Sequence, residues 1–312
     1  MSLRTTFLAT SFLVACSSST QPSTDAGSDA APVEAGTLTV ETYSSASSGP
    51  VDIQVNSHIV LGPTEALVVD GQLLASDAQA VLQKVQASGR KLKTVFLTHA
   101  HPDHYAGLAV FTEAVPDVAV VTTPDVLADF QASAPGTFQY LQSSLGSAIA
   151  DKLVTPTALS GSSLAVDGIT IQVLDLPNAG ESAHGAALAL PGGGLVSGDL
   201  VYDDVHLFLG ECHADGWKTN LTAFEQKGFT TIYPGHGPSP VDASAFAATS
   251  AYIDGAIPIL EAAKAGDAGA SDAGDSRVGD AVSQIQAAFP KYSSNYLLGY
   301  SSSTFLDTNA CP

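Results

Sequence analysis

The sequence predicts an α/β fold of layered strands and helices, followed by a helical C-terminal extension. Short apolar and β-branched runs alternate with stretches of helical periodicity between residues 37 and 240, and Gly and Pro turns separate them. Polar segments rich in His and Asp follow some of the predicted strands, as binding loops do in layered domains. Residues 241–312 are mostly helical in pattern, and we expect them to pack on the domain.

Each strand is predicted from a short apolar run between turn residues. The first runs, LTVET, HIVL and ALVV, are joined by Gly and Pro turns, and KTVFL leads into a histidine cluster. The later runs are VAVVT, LAVDGITIQVLDL, AALAL, LVS and TTIY. The predicted strands therefore cover residues 38–42, 58–61, 66–69, 93–97, 118–122, 164–176, 186–190, 195–197 and 230–233.

Helices are predicted where apolar residues recur at helical spacing. In residues 77–88 this spacing is carried by Val81 and Val85, and Gly89 ends the helix. The remaining helical stretches before the C-terminal extension are 124–132, 137–150 and 218–227.

The N-terminus has the pattern of an export signal. Arg4 precedes a short apolar stretch, so residues 1–15 are interpreted as a signal peptide rather than a membrane span. The ending Leu-Val-Ala-Cys resembles a bacterial lipobox, which implies cleavage before Cys16 and lipidation of its thiol; an ordinary secretory signal is the alternative. Residues 16–36 are small and polar, as in a solvated tether. We expect an exported cell-envelope protein, anchored by lipid to the outer membrane and facing the periplasm.

The charge balance narrows the range of partners. The 312 residues include 31 acidic and 11 basic side chains, which gives a formal charge of −20. Such a surface repels phosphate backbones, so nucleic-acid binding is excluded and bulky anionic substrates are disfavoured. The expected partner is a small-molecule substrate, and the sequence does not define an oligomeric state.

The sharpest motif is THAHPDH at residues 98–104, directly after an apolar strand. In extended backbone, His99 and His101 point to the same side, so both imidazoles can bind one metal ion. The intervening proline turns the chain, and Asp103 and His104 then lie at a helix start, aimed away from the first pair. The spacing predicts ligands for two adjacent metal ions.

This motif resembles the His-x-His-x-Asp-His signature of the metallo-β-lactamase superfamily. Three more segments match the family in its order: LVVDG at 67–71, GDLVY at 198–202 and YPGHG at 233–237. The resemblance covers residues 37–240. It implies a four-layer αββα sandwich and a metal-dependent hydrolase that binds two zinc ions per chain.

The resemblance also implies a role for each matching residue. Asp70 would orient a ligand or the backbone below the site. Asp103 could in addition accept a proton from the attacking water. The implied ligands are His99 and His101 for the first metal, Asp103, His104 and His236 for the second, and Asp199 as the bridge between them.

One segment departs from the family pattern. The family has Gly-His-Thr-Pro-Gly before the bridging aspartate, and that histidine completes the first metal site. This chain has GESAHG at 180–185, with Glu181 in the histidine position and His184 three residues later, as in a branch of uncharacterised hydrolases that it resembles. Both residue types bind zinc. We favour His184 as the ligand with Glu181 beside it; if neither binds, the site would work with one ion.

Two further residues are candidates for contact with the substrate. Tyr202 follows Asp199 at the Asp-x-x-Tyr spacing of superfamily lactonases, in which the phenol contacts the substrate carbonyl or its oxyanion. A buried structural tyrosine is the alternative. His206 lies seven residues beyond Asp199 and could line the pocket, or it could be a surface histidine.

The cysteines predict one disulfide bond. Without the lipidated Cys16, Cys212 and Cys311 form an even pair in an exported protein, which favours a bridge between them. Such a bridge would stabilise the fold by roughly 4–5 kcal/mol because it closes a long loop. Two unpaired thiols are the alternative.

The predicted reaction is hydrolysis of a carbonyl substrate. Two zinc ions would lower the pKa of a shared water towards 7, and the metal-bound hydroxide would attack the carbonyl. No Gly-x-Ser-x-Gly elbow supports a covalent route. Esters or lactones are preferred; a β-lactamase, a thioesterase and a catalytically weak metal-binding envelope lipoprotein are the alternatives.

Overall fold

The structure is a computed structural model that describes residues 37–46, 51–265 and 276–307. The predicted signal peptide, Cys16, the tether and Cys311 lie outside these residues. Within the described ranges, no helix combines the length and hydrophobicity needed to cross a bilayer.

Six strands form the first sheet. They are, in spatial order, β1 (Thr39–Ser44), β2 (Asn56–Leu61), β3 (Glu65–Val69), β4 (Lys91–Phe96), β5 (Ala119–Thr122) and β6 (Thr157–Ala158). β1, β2 and β3 pair antiparallel, whereas β3 to β6 run parallel because helical segments connect them. The carboxyl ends of β3 and β4 therefore lie side by side, and the loops after them carry the predicted site.

Five strands form the second sheet. They are, in spatial order, β11 (Thr231–His236), β10 (Gly194–Tyr202), β9 (Ala186–Leu190), β8 (Ile169–Asp175) and β7 (Ser163–Val166). β10 and β11 are parallel and the other pairs are antiparallel. The predicted segment 164–176 is a hairpin of β7 and β8, with Asp167 (φ 50°) and Gly168 (φ 76°) at its turn.

The two sheets pack face to face through an apolar layer. Side chains that alternate along the strands, such as Leu67 and Val69 of β3 and Ile171 and Val173 of β8, point into this layer and are buried. Because the side chains of this layer are buried and packed together, they hold the polar groups at the strand ends in place at one edge of the sandwich.

Helices cover both outer faces. α1 (Ala75–Ala87), α3 (Leu108–Ala114) and α4 (Pro124–Leu145) pack on the first sheet. α5 (Ala214–Glu225), α6 (Ser244–Ala265), α7 (Ser276–Ala288) and α8 (Asn295–Leu306) build the core on the second sheet. The short α2 (Pro102–Tyr105) carries part of the histidine motif. The predicted αββα fold with C-terminal helices is confirmed.

Among the differences from the predicted element boundaries, two have a clear physical reason. α4 is one helix that continues through Pro135, where two helical stretches were expected. A proline removes one helical hydrogen bond, and here the residue four positions earlier, Gln131, is exposed, so water can satisfy the freed carbonyl. β10 continues to Tyr202 instead of ending at Ser197, with a register shift at Gly198 (φ 50°).

Candidate metal centre

Asp70 organises the loop that carries the histidine motif. It follows β3 in a left-handed conformation (φ 65°). Its Oδ1 accepts a hydrogen bond from Thr98 N and its Oδ2 one from Thr98 Oγ1, both at 2.8 Å. Oδ2 also lies 2.9 Å from His104 Nδ1. Because Nδ1–H donates to this carboxylate, Nε2 is the nitrogen of His104 that faces the cluster and can bind a metal ion.

The same logic fixes two more histidines. The Thr98 hydroxyl donates its only proton to Asp70, so it accepts from His99 Nδ1 at 3.0 Å. His236 Nδ1 donates to the Gln54 carbonyl at 2.5 Å. Both imidazoles therefore hold a proton on Nδ1, so Nε2 is the nitrogen that each ring can offer to a metal ion.

Glu181 completes the first group of ligands. Its Oε1 lies 2.7 Å from His101 Nδ1, and its Oε2 lies 3.4 Å from His99 Nε2. The three ligand atoms of this group lie within 4.8 Å of one another. His101 Nε2 makes a 2.8 Å contact with Glu211 Oε1 on its other side. A metal ion could therefore take the place of the His101–Glu181 contact while Glu211 keeps the ring oriented.

The second group consists of Asp103, His104 and His236. Asp103 Oδ2 lies 3.4 Å from the Nε2 atoms of both histidines, and these two nitrogens are 3.3 Å apart. Burial would raise the pKa of Asp103, but the two nearby imidazoles hold it well below its usual range. Asp103 is therefore a carboxylate at neutral pH.

Asp199 lies between the two groups. Its Oδ2 is 2.9 Å from His236 Nε2 and 3.8 Å from His99 Nε2, and its Oδ1 is 3.4 Å from His104 Nε2. The adjacent strand approaches so closely that a side chain at Gly235 would collide with this carboxylate. One carboxylate thus faces ligands of both groups.

Unsatisfied buried atoms show that the cluster fits a metal. Within the described residues, His99 Nε2, Glu181 Oε2 and Asp199 Oδ1 are buried and have no hydrogen-bond partner. Such atoms are costly unless another group binds them. Four imidazoles and three carboxylates in three overlapping groups are the donors that zinc and similar divalent ions prefer.

A family model for the metallo-beta-lactamase superfamily matches residues 50–236. The chain belongs to this superfamily. It is therefore a metallo-hydrolase, and the predicted resemblance is confirmed at the level of the family and the fold.

Solved structures share the superfamily fold with this chain. A metallo-beta-lactamase from Pontibacter korlensis aligns with a TM-score of 0.53 and 19% identity, over 70% of this chain and 95% of that one. A metallo-beta-lactamase family protein from Thermus thermophilus aligns with a TM-score of 0.59 and 20% identity, over 86% and 93% of the two chains. At these identities the likeness shows the fold alone.

One curated relative matches a short segment. A hydroxyacylglutathione hydrolase from Albidiferax ferrireducens is 47% identical over 49 residues, which are 16% of this chain and 18% of that enzyme. The matched segment is thus less than a fifth of the relative's length.

The unusual segment of this superfamily member places Glu181, and not His184, at the cluster. Glu181 is buried between two histidines, whereas His184 Nδ1 pairs with Asp129 Oδ2 at 2.8 Å and the His184 side chain is 49% exposed. The preference for His184 as the ligand was therefore wrong in this geometry. Burial raises the pKa of Glu181 to about 7, against the opposing effect of His101.

The two candidates for substrate contact have different positions. Tyr202 is buried beside the cluster: its hydroxyl donates to Asp199 Oδ2 at 2.6 Å and its ring stacks on His236. His206 is instead buried in the core beneath the C-terminal helices, where Nδ1 lies 2.9 Å from the Tyr252 hydroxyl. The expectation that His206 lines the pocket was wrong, because the chain after β10 turns away from the site and pairs with Ser293.

Sequence reasoning missed Glu211, which contacts His101. No motif marks it, and only its place directly after the apolar run VHLFLG could have suggested a loop near the site. The neighbouring Cys212 is disulfide-bonded. The predicted pairing with Cys311 remains a prediction.

A cavity of about 790 Å³ opens beside the candidate metal-binding residues. His101, Asp103, Glu181, Tyr202 and His236 all contribute to its wall. The ligand cluster is therefore accessible to a molecule of moderate size.

Proposed function

We propose that the protein is a zinc-dependent hydrolase of carbonyl substrates, with esters or lactones preferred. The observation that carries this proposal is a pair of candidate ligand groups at the wall of the cavity, with Asp199 facing histidines of both groups. In three of the histidines, hydrogen bonds to Nδ1 leave Nε2 available to metal. Structural zinc sites are closed, whereas this cluster faces open space, as catalytic sites do.

The residues would divide between two zinc ions. His99, His101 and Glu181 would hold the first ion, Asp103, His104 and His236 the second, and Asp199 would contact both. When bound, zinc lowers the pKa of water and polarises a carbonyl oxygen.

Two side chains supply the remaining chemistry. The Asp103 carboxylate lines the cavity and can accept a proton from the attacking water. Burial and the neighbouring Asp199 raise the pKa of Tyr202, so its phenol stays protonated. In this structure that proton is donated to Asp199; if Asp199 contacts metal instead, Tyr202 could turn the same proton towards the substrate carbonyl as negative charge develops on that oxygen.

A hydrolase panel tests the proposal. Lactones, aryl esters, β-lactams and thioesters are offered to the purified protein with zinc and after chelation, alongside Asp103→Ala and the exposed control Asp117→Ala. We expect turnover of esters or lactones. Chelation should abolish this turnover and added zinc should restore it. The Asp103→Ala variant should be inactive, whereas Asp117→Ala should keep the native activity. Turnover that resists chelation would overturn the metal mechanism, and thioester turnover alone would favour the alternative suggested by the hydroxyacylglutathione hydrolase segment.

We also propose that the protein is an exported lipoprotein anchored through Cys16. The lipobox-like ending of the first apolar stretch supports this proposal. Metabolic labelling with a palmitate analogue should mark the native chain in the membrane fraction and leave Cys16→Ser unlabelled; equal labelling of both would contradict it.

A further inference from the structure

The cavity beside the metal-binding residues has two outer walls made by helices. α4 contributes Tyr140, Leu141 and Leu145 to one wall, and α8 contributes Leu297 and Tyr300 to the other. α8 belongs to the C-terminal extension, so this extension does more than stabilise the second sheet. It shapes the space that any substrate must enter to reach the metal centre.

Exposed aromatic residues are concentrated at this cavity. Within the described part of the chain, the large hydrophobic side chains that are exposed are Tyr140 at 69%, Tyr296 at 50% and Tyr300 at 54%. All three line the cavity. Exposed apolar groups gathered at one place on a domain surface indicate a binding surface, because elsewhere they would be buried or replaced by polar residues.

A line of aromatic ring contacts connects the candidate metal centre to α8. His101 meets Phe208 edge to face at a centroid distance of 5.4 Å, and Phe208 stacks on Tyr300 at 5.5 Å with an interplanar angle of 14°. Leu209 N donates to Ser301 Oγ at 2.7 Å and holds α8 against this loop. The apolar wall is therefore continuous from a metal-binding histidine to the outer helix.

The charge of the wall excludes one class of substrate. Among the described residues that line the cavity, there is no Lys or Arg, whereas Asp103, Asp129, Glu181 and Glu211 all face it. A carboxylate, phosphate or sulfate on the distal part of a substrate would find no Lys or Arg to pair with there and would be repelled by these side chains. The formal charge of −20 on the chain acts in the same direction.

We propose that the space between α4 and α8 is the subsite for an uncharged alkyl or aryl acyl group of an ester or lactone. The proposal rests on the proposed hydrolase function and names its substrate class. In the reaction, the oxygen of water bonds to the acyl carbon and the bond from that carbon to the alkoxy oxygen breaks. One proton passes to the alkoxy oxygen, and the apolar acyl chain stays between the helices.

A series of 4-nitrophenyl esters tests the subsite by turnover. Acyl groups of two, four and eight carbons are compared with hemisuccinate, which carries a distal carboxylate. Because each buried methylene adds binding free energy, kcat/KM should rise about tenfold or more from acetate to octanoate, mainly through KM, and hemisuccinate should be poorer than butyrate. The double variant Tyr296→Ala, Tyr300→Ala should reduce this rise to about threefold or less. Ser303→Ala, on the exposed side of α8, is the matched control.

Binding without turnover separates the two proposals. The uncharged dye Nile red is bound to the native protein or to the double variant. The concentration of decan-2-one or decanoate that displaces the dye is then measured by its fluorescence. Expected is displacement by the ketone at about tenfold lower concentration than by decanoate, and weaker ketone binding in the variant. Preference for decanoate or hemisuccinate, or equal behaviour of native and variant protein, would overturn the subsite even if metal-dependent hydrolysis is found. Selective ketone binding without hydrolysis would support the apolar site and overturn only the proposed reaction.

Discussion

At the scale of single residues, hydrogen bonds on the far side of each ring decide which histidine atoms can bind metal. Each ring donates a hydrogen bond from Nδ1: His99 to the Thr98 hydroxyl, His104 to the Asp70 carboxylate and His236 to the Gln54 carbonyl. The ligand nitrogens are thereby set before any metal arrives, which reduces the reorganisation that binding requires.

Glu181 and His184 offer a direct comparison of two candidate ligands. Glu181→Ala removes a buried oxygen donor from the first group and should lower bound zinc by about one ion per chain. His184→Ala removes an exposed side chain that pairs with Asp129 and should leave the zinc content unchanged. Elemental analysis of the two purified variants checks this, with unfolding curves to show that both are folded. If His184→Ala loses zinc and Glu181→Ala does not, His184 is the ligand, as the sequence predicted.

His206 should make the stability of the fold depend on pH. Burial lowers its pKa to about 4 from an ordinary value of 6.5. Between these values the unfolded chain binds the proton more readily than the folded one, so the free energy of unfolding falls as pH falls from about 6.5 to about 4. The loss should be roughly 2 kcal/mol.

The test for His206 is urea unfolding at pH 8, 7, 5.5 and 4.5 at matched metal content. The variant His206→Asn keeps a hydrogen-bonding group near Tyr252 but cannot take up the proton. Its stability should decline less than that of the native protein over this window, while the difference between the two stays constant from pH 8 to 7. Parallel curves across the whole range would show that His206 does not contribute.

At the scale of elements, close approach of β10 and β11 places Asp199 against His236. Gly235→Ala would put a methyl group into the Asp199 carboxylate, so zinc binding should fall, with a loss of roughly 1–3 kcal/mol in the free energy of unfolding. Gly136→Ala in α4 is the control, since nothing lies within 4 Å of the added methyl, and it should be neutral or stabilising by about 1 kcal/mol. Metal content and thermal unfolding distinguish the two variants. Full zinc binding by Gly235→Ala would contradict the tight approach.

Most strands and helices were predictable from the sequence because the spacing of apolar residues indicates which side chains are buried. The runs that form β2, β3, β4 and β9 are apolar and short, and the structure has strands there. The continuation of α4 through Pro135 was not predictable in the same way. The free-energy cost of a proline inside a helix depends on whether water reaches the carbonyl four residues earlier. The extension of β10 depends on pairing with β11, which is far away in sequence.

The metal-binding motif was predictable from spacing, but the ligand in the departing segment was not. The position of the turn at 180–185 depends on tertiary contacts, such as the close packing of Gly180 against Trp217 of α5. No local periodicity encodes such contacts. His206 was misplaced for a similar reason, because its backbone bonds to Ser293 O, almost ninety residues later in the chain. Glu211 likewise meets His101 only through the fold.

At the scale of the whole molecule, repulsion among the excess acidic side chains should lower the free energy of unfolding. With a formal charge of −20, the compact state concentrates negative charge that the unfolded chain spreads out. Raising NaCl from 20 to 200 mM should therefore raise the free energy of unfolding by about 1 kcal/mol through screening. KCl at the same ionic strength serves as the control and should act equally. A fall in stability with salt, or a difference between the two salts, would contradict a screening effect.

The single tryptophan has a consequence for observing the molecule. Trp217 is buried, donates from Nε1 to the Leu200 carbonyl at 2.8 Å, and lies edge to face with Tyr202, whose hydroxyl binds Asp199. Its indole emission therefore comes from one defined place, one ring away from a carboxylate of the proposed metal centre. We expect zinc binding to change this emission, so that uptake of the metal could be followed in real time by intrinsic fluorescence without a label.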